Sequence, residues 1–245
     1  MTPPPSARGN RPAASRPPSK GRKPERTGWR PGLVVGLLLV VAAGFAWWVW
    51  PSRGPDVRRA ANLAAPGDIV VFFGDSITQG YGVRSDESFP ALAGQALGVP
   101  IVNAGVPGDT MSAGLARMDR DVLPHRPRLA VVEFGGNDFL RRVPVEETLQ
   151  NLEAIVSTLI GGGMMVVILE VKAGLGGDPY LVGYQAVAER HGAILVPDIM
   201  KGILTSPDLK ADTIHPNAKG HRLIADRVIR VLAPLLREGN RRRGS

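Results

Sequence analysis

The stretch VVFFGDSITQGYG, residues 70–82, opens with an unbroken run of β-branched and aromatic side chains and stops at Gly74, Asp75 and Ser76. A strand without polar alternation is typical of a parallel sheet that is covered on both faces. Open parallel sheets bind their ligands beyond the carboxyl ends of their strands. The sequence therefore predicts that the small, acidic and hydroxyl residues at the end of this stretch lie at a functional edge.

The rest of the chain repeats this arrangement, with apolar strand-like runs separated by amphipathic helix-like stretches. The strand-like runs are residues 68–74, 100–105, 129–136, 164–171 and 193–198, and the helix-like stretches are roughly 88–97, 110–122, 145–160, 179–191 and 217–236. Alternation of this kind predicts an α/β fold in which about five parallel strands carry helices on both faces.

Two further strand ends carry groups that can take part in chemistry. The second strand runs into NAGVPGDT, residues 103–110, which contains Gly105, and the third runs into GGND, residues 135–138, which contains Asn137. Backbone N–H groups, such as those of Ser76 and Gly105, and a side-chain amide, such as that of Asn137, are donors that can stabilise an oxyanion. These three residues are the candidate oxyanion hole.

The segment ADTIHPNAKGH, residues 211–221, places Asp212 three positions before His215 and ends in a helix-like stretch. A carboxylate beside an imidazole holds the ring in one tautomer and stabilises the imidazolium that forms when the ring takes a proton. A serine hydroxyl is a poor nucleophile until such a base is hydrogen-bonded to it. The sequence therefore predicts a catalytic Ser76, His215 and Asp212.

The other polar residues near these motifs have structural interpretations. Asp75 adjoins Ser76, and because neighbouring side chains on an extended segment point to opposite sides, we expect it to hold the turn. Asp109 and Asp138 are expected to close their loops. The remaining histidines are expected to be exposed at the surface: His125, His191 and His221.

The four blocks Gly74-Asp75-Ser76, Gly105 within NAGVPGDT, Asn137 within GGND and DTIH at 212–215 resemble those of the SGNH, or GDSL, hydrolase family and occur in the same order. The resemblance covers about residues 67–236. It is closest to the bacterial arylesterase and multifunctional acyl-CoA thioesterase/lysophospholipase branch, on GLARMDRDVLPHRPRLAVVEFGGNDFLRRVPVEETLQNL and DTIHPNAKGH.

The resemblance implies a flavodoxin-like three-layer sandwich and a serine hydrolase of carboxylic esters or thioesters. It implies that Ser76 is the nucleophile, His215 the base and Asp212 its partner, with no metal or organic cofactor. The oxyanion hole that it implies is formed by Ser76, Gly105 and Asn137.

One segment departs from that branch. After the fourth strand the chain reads LEVKAGLGGDPYLVGYQ, residues 169–185, where the branch has a longer segment that opens with Met-Arg. Two other functions also stay open: deacetylation of a cell-wall or exported polysaccharide, and a membrane-tethered binding module without catalysis. The intact Ser76, Asp212 and His215 argue against the second. Acyl-chain length, the alcohol or thiol leaving group and the oligomeric state also stay open at this stage.

The charge of the chain is concentrated in its amino-terminal part. Residues 1–59 hold 11 Lys/Arg and 2 Asp/Glu, a net charge of +9, whereas residues 60–245 hold 19 and 20, a net charge of −1. A nearly neutral core argues against nucleic acid as its partner. The chain has no cysteine, which excludes a disulfide and a thiolate nucleophile.

The two ends of the chain differ from the middle. Residues 1–31 are basic and rich in proline and are expected to be disordered. Residues 32–50 are 19 uncharged residues that end in a tryptophan cluster, long enough to cross a bilayer. The basic arm predicts a cytoplasmic amino terminus and a catalytic domain on the outer, periplasmic or extracellular, side. The alternative is a signal peptide cleaved near residues 44–46. Residues 51–66 are the predicted linker, 67–236 the hydrolase domain and 237–245 a basic tail.

Overall fold

Five parallel strands form the centre of the structure, a computed structural model that describes residues 56–172 and 179–244. The strands are β1 (Val70–Gly74), β2 (Ile101–Gly105), β3 (Leu129–Phe134), β4 (Met165–Glu170) and β5 (Ile194–Val196), in the spatial order β2-β1-β3-β4-β5. Every pairing is parallel. The predicted α/β fold with about five parallel strands is therefore confirmed.

Seven α-helices connect and cover the strands. They are α1 (Ser76–Gln79), α2 (Phe89–Leu97), α3 (Met111–Asp121), α4 (Gly136–Leu140), α5 (Val145–Gly161), α6 (Pro179–His191) and α7 (Ala218–Gly244) in the part of the chain that the structure describes. Short 3₁₀ turns occur at Val57–Arg59, Ser85–Glu87, Leu123–His125 and Pro207–Leu209.

The strands are buried on both faces, because successive side chains point to opposite sides of the sheet. On β1, Val70 and Phe72 belong to the core beneath α2 and α7, whereas Val71 and Phe73 belong to the core beneath α3, α5 and α6. The same alternation continues on β3 and β4. The result is a sandwich of three layers, and it explains why these strands read as continuous apolar runs.

The register brings the strand ends to one edge. Gly74, the last residue of β1, lies opposite Gly105 on β2 and Glu133 on β3. The segments that follow these strands therefore meet above the same edge of the sheet, which is the edge where the sequence places its candidate residues.

The packed part of the chain extends beyond the predicted bounds of 67–236 at both ends. Ala60 and Ala65, within the predicted linker, are buried in the core, and the Asn62 amide donates to Ile160 O and Met164 O. These contacts lie where the strands begin, at the edge opposite the candidate residues. The predicted tail, residues 237–245, continues α7 as far as Gly244. The buried Arg128 donates to Asn240 Oδ1 at 2.8 Å, which ties the end of this helix to the rest of the fold.

The predicted arm 1–31 and the predicted membrane segment 32–50, with its possible cleavage site, lie outside the described residues, as do residues 173–178 of the departing segment. Among the described helices, none combines the length and the apolar character needed to cross a bilayer.

His221 is fully buried between α7 and α2, so the expectation of an exposed side chain was wrong. Its Nδ1 accepts the backbone N–H of Phe89 at 3.3 Å, and its ring stacks on that of Phe89. Because Nδ1 is an acceptor, the proton of the neutral ring is on Nε2. Burial, followed by the charge of His215, lowers the pKa of His221 to about 4.

This burial predicts a loss of stability in acid. The unfolded chain binds a proton on His221 below about pH 6.5 and the folded chain only below about pH 4, so the free energy of unfolding should fall as the pH falls through that interval. The contribution is on the order of 3 kcal/mol. Urea unfolding at several pH values should therefore show a smaller fall for His221→Gln, whose amide oxygen can still accept from Phe89 N.

The wild type and His221→Gln both contain Asp75, whose raised pKa makes the free energy of unfolding rise as the pH falls over the same range. The difference between the two proteins therefore reports the contribution of His221 alone. Equal pH dependence of unfolding in the wild type and in His221→Gln would contradict the prediction.

Candidate active site

Ser76 is the first residue of α1, at the point where β1 ends. Asp75 caps this helix, because its Oδ1 accepts the N–H of Ile77 at 2.9 Å, as expected of a residue that holds the turn. Gly74 is required before it: a Cβ there would lie 2.2 Å from Thr78 Oγ1 and 2.5 Å from Glu133 O. The tight turn therefore fixes Ser76 at the carboxyl edge of the sheet.

His215 lies between Ser76 and Asp212. Its Nε2 is 2.9 Å from Ser76 Oγ, and its Nδ1 is 2.7 Å from Asp212 Oδ2. Asp212 Oδ1 also accepts the N–H groups of His215 and Ile214, so one carboxylate fixes both the loop and the ring. The structure therefore brings together the three residues that the sequence places in the catalytic group.

The charge on Asp212 is stabilised by these hydrogen bonds. The N–H of His215 first, then the His215 ring and the N–H of Ile214, lower the pKa of Asp212 to about 2. A carboxylate can only accept hydrogen bonds, so the ring proton of neutral His215 is on Nδ1. Nε2 is then the acceptor that faces the Ser76 hydroxyl, which is the tautomer that a general base needs.

The ring of Tyr81 packs on the ring of His215, with 4.5 Å between their centroids. Tyr81 lies between Gly80 and Gly82, whose φ angles of 89° and 84° belong to the left-handed region that favours glycine. This contact was not predicted from the sequence, although the GYG triplet directly after α1 indicates a loop that turns back.

The three candidate oxyanion donors lie at this edge, but two of them donate to protein atoms. Gly105 N donates to Asn103 Oδ1 at 3.0 Å. The Asn137 amide donates to Asp75 Oδ2 and to Asp109 O, each at 3.0 Å. An oxyanion on these groups would have to share or replace those acceptors.

Gly105 also fits its position for a steric reason. A Cβ there would lie 2.2 Å from Gln79 N, so only glycine lets β2 come this close to α1.

A cavity of about 190 Å³ opens beside Ser76, His215 and Asn137. Its apolar lining is formed by Ile77, Phe139, Leu140, Val171, Met200, Leu204 and Ile214, with Lys172 as the cation. Several of these side chains, together with Tyr81 and Val106, are also the exposed large apolar residues of this edge. The site can therefore bind an apolar group next to the serine hydroxyl.

The remaining acidic candidates close loops, as predicted. Asp109 forms an ion pair with Arg117 at 2.6 Å. Asp138 is buried and accepts the N–H of Met111 at 2.9 Å and the hydroxyl of Thr148 at 3.1 Å. Within residues 56–172 and 179–244, no three His, Cys, Asp or Glu side chains are grouped closely enough to hold a metal ion.

Of the other histidines, His125 is exposed and His191 is half-buried beside Glu153. Neither is near the cavity that opens beside Ser76.

A serine, an imidazole and a carboxylate joined by hydrogen bonds, at the carboxyl edge of a five-stranded parallel sheet, define a serine hydrolase of the three-layer α/β class. Residues 72–223 match the model of the GDSL-like lipase/acylhydrolase family. The chain belongs to this family.

Named relatives support this membership. The chain is 30% identical over 181 residues to thioesterase 1/protease 1/lysophospholipase L1 of Escherichia coli (strain K12), which covers 71% of this chain and 87% of the relative. It is 29% identical over 184 residues to an arylesterase of Vibrio mimicus, with 71% and 91% covered.

A solved structure shares the fold. The esterase EstA of Pseudoalteromonas sp., in a form inhibited by monoethylphosphonate, superposes with a TM-score of 0.64 at 25% identity, over 70% of this chain and 100% of that chain.

Proposed function

We propose that this protein hydrolyses carboxylic esters and thioesters through an acyl-enzyme on Ser76. The observation that carries the proposal is the continuous hydrogen-bonded series from Ser76 Oγ to His215 and on to Asp212, with distances of 2.9 and 2.7 Å. The names of the relatives, an arylesterase and a thioesterase/lysophospholipase, support the same reaction class.

In the first half of the reaction, Ser76 Oγ attacks the acyl carbon while its proton passes to His215 Nε2. The tetrahedral intermediate collapses when the same proton is given to the leaving oxygen or sulfur, which departs as an alcohol or thiol. In the second half, His215 takes a proton from water, the hydroxide attacks the acyl-enzyme, and the acid is released with Ser76 restored. Asp212 keeps the ring oriented and stabilises its cationic form in both halves.

The apolar lining of the cavity supports an acyl group longer than acetyl. Leu140, Met200 and Leu204 offer no hydrogen-bonding group to a sugar, whereas they can bury methylene groups beside Ser76. A deacetylase of polysaccharides would need polar groups there. We therefore place acyl esters and thioesters ahead of acetylated polysaccharides.

The test is hydrolysis of p-nitrophenyl esters from acetyl to palmitoyl by the purified full-length protein, followed by the same acyl series on thioesters. We expect kcat/KM to rise beyond acetyl and the protein to be labelled once by a fluorophosphonate. A maximum at acetyl would favour the deacetylase. Neither hydrolysis nor labelling at any chain length would favour a binding module and remove the proposal.

The Asn137 amide is proposed as an oxyanion donor with the N–H groups of Ser76 and Gly105. Asn137→Ala should lower kcat by about 10² to 10³ with little change in KM, because this interaction strengthens only in the transition state. Steady-state kinetics on one ester gives both constants. Asn151→Ala, in α5 and away from the cavity, is the matched control. Unchanged turnover in Asn137→Ala would remove this residue from the oxyanion hole.

We also propose, from the sequence, that residues 32–50 hold the protein in a membrane, with residues 1–31 in the cytoplasm and the hydrolase domain outside. The support is the 19-residue uncharged run and the basic residues before it. Extraction of cell membranes with alkaline carbonate should leave the intact chain in the pellet. Recovery of a shortened chain in the medium would favour the cleaved signal peptide.

A further inference from the structure

Glu133, on β3, is a carboxyl group in the middle of the core. It is 0% exposed, and its Oε2 accepts the hydroxyl of Thr78 at 2.7 Å. Its Oε1 is buried and receives no N–H or O–H from any described residue. A charged carboxylate in this state lacks the partners that offset its desolvation.

Asp75, the residue before Ser76, is itself 2% exposed and lies close enough to Glu133 for the two carboxyl groups to interact. Two hydrogen bonds of Asp75 lead into the site, because Oδ1 accepts Ile77 N of α1 and Oδ2 accepts the Asn137 amide. None of the ion pairs among the described residues includes either carboxyl group.

Several charged or titratable groups face this pair from the elements packed around it. His215, from the loop before α7, interacts with Asp75, and Tyr184 of α6 interacts with Glu133 and with Asp138 of α4. Arg117 of α3 donates to Gly74 O. Arg117 is itself paired with Asp109 and Asp121. Arg117 therefore does not form an ion pair with Asp75 or Glu133, and the negative charges of these two carboxyl groups repel each other.

Two buried carboxyl groups in contact do not both ionise, because each charge raises the pKa of the other group. Burial, and then the charge of Asp75, raise the pKa of Glu133 well above its ordinary range. Burial raises the pKa of Asp75 to about 6, although hydrogen bonds from Ile77 N and from Glu133 act in the other direction. A proton shared within the pair would relieve this repulsion, and Glu133 Oε1, which has no other partner, is the atom free to carry it.

We propose that Glu133 is a positioning residue that, in its protonated form, donates a hydrogen bond to Asp75 and thereby holds Asp75 as the acceptor that orients the Asn137 amide and caps the helix of Ser76. The consequence for catalysis rests on the proposed function. Glu133 does not touch substrate; it acts through Asp75 on two groups that do.

The test compares Glu133→Gln with Glu133→Leu. Glutamine keeps both contacts, since its oxygen can accept from Thr78 and its N–H can donate to Asp75, so kcat should stay within about threefold of the wild type. Leucine removes the donor, and we expect kcat to fall on the order of 10²-fold with little change in KM, because the oxyanion donor is displaced.

The pH profile separates positioning from a general loss of structure. Loss of a hydrogen bond to the Asp75 carboxylate favours its neutral form, so the acid limb of kcat/KM should move to higher pH by about one to two units in Glu133→Leu and stay in place in Glu133→Gln. Glu170→Leu is the matched control. It removes an equally buried carboxyl group from β4 and should leave the acid limb where it is in the wild type.

Infrared difference spectroscopy tests the proton without relying on activity. The wild-type minus Glu133→Gln spectrum at neutral pH should contain the C=O stretch of a protonated carboxylic acid. If the band is present and no ester is hydrolysed, the proposed function fails and the protonated Glu133 stands. Absence of the band would overturn the proposal. A fall in kcat for Glu133→Gln as large as that for Glu133→Leu would also overturn it. If Glu133→Leu does not fold, the kcat of Glu133→Gln and the infrared band still test the proposal.

Discussion

Replacing Ser76 by alanine should lower kcat for ester hydrolysis by on the order of 10⁶-fold, the loss expected when the nucleophile of a working triad is removed. The substitution deletes one oxygen atom and leaves His215 and Asp212 bonded to each other. Residual turnover would come from the oxyanion donors and from binding of the substrate alone. Initial rates with p-nitrophenyl esters, and the mass of the protein after fluorophosphonate treatment, measure the effect.

Ser112→Ala is the matched control, because Ser112 is exposed on α3 and is not among the residues that line the cavity. The control should keep wild-type rates and label once. A Ser76→Ala protein that is folded and hydrolyses esters within tenfold of the wild type would show that another group is the nucleophile.

Asp212→Asn should lower kcat by about 10⁴-fold while the protein stays folded. The asparagine oxygen can still accept from Ile214 N and His215 N, so the loop keeps its shape. Its NH₂ group would instead donate to His215 Nδ1, which moves the ring proton to Nε2 and leaves Ser76 without a base. The measurement is kcat across the pH range at saturating ester.

Because the pKa of Asp212 is lowered to about 2, the wild type keeps this carboxylate charged at every pH at which the assay is practical. Asp208→Asn, in an exposed turn nearby, is the matched control and should have no effect on kcat. A value for Asp212→Asn within tenfold of the wild type would contradict the role of this carboxylate.

The strands and the ends of the strands could be predicted from the sequence because their signals are local. An unbroken apolar run specifies a strand covered on both faces, and the glycine that follows it specifies a sharp turn. Ser76 and Asn137 lie directly after such signals, whereas Asp212 and His215 are recognised by their own spacing just before the last helix-like stretch. Because the carboxyl ends of parallel strands lie at one edge of the sheet, Ser76 and Asn137 are predicted to lie near each other. The distances between their side chains do not follow from their spacing in the sequence.

Two polar residues show where this reasoning ends. Glu133 lies inside the apolar run LAVVEFGG, but nothing in that run shows what its carboxyl group contacts, and His221 lies on a helix with charged neighbours that resemble those of an exposed residue. Their burial depends on which strand and helix pack against them, and the fold decides that rather than the local sequence. The same holds for Tyr81, whose contact with His215 joins segments more than a hundred positions apart.

The bounds of the domain could not be predicted for a related reason. Residues 60–65 read as a linker, and the arginine-rich end reads as a tail, because their composition is that of exposed chain. A few specific bonds, from Asn62 to the start of β4 and from Arg128 to Asn240, tie both segments to the body of the fold.

The contact of Asn62 with Met164 and that of Ala61 with Gly192 place the entry of the chain beside the starts of β4 and β5. Ser76 lies at the other end of the sheet, above the finish of β1. A solid support attached to the domain at Asp56 would therefore lie at the end of the sheet opposite Ser76. Substrate in solution could then reach the cavity beside Ser76 without obstruction by the support. The immobilised domain could therefore be used to hydrolyse esters.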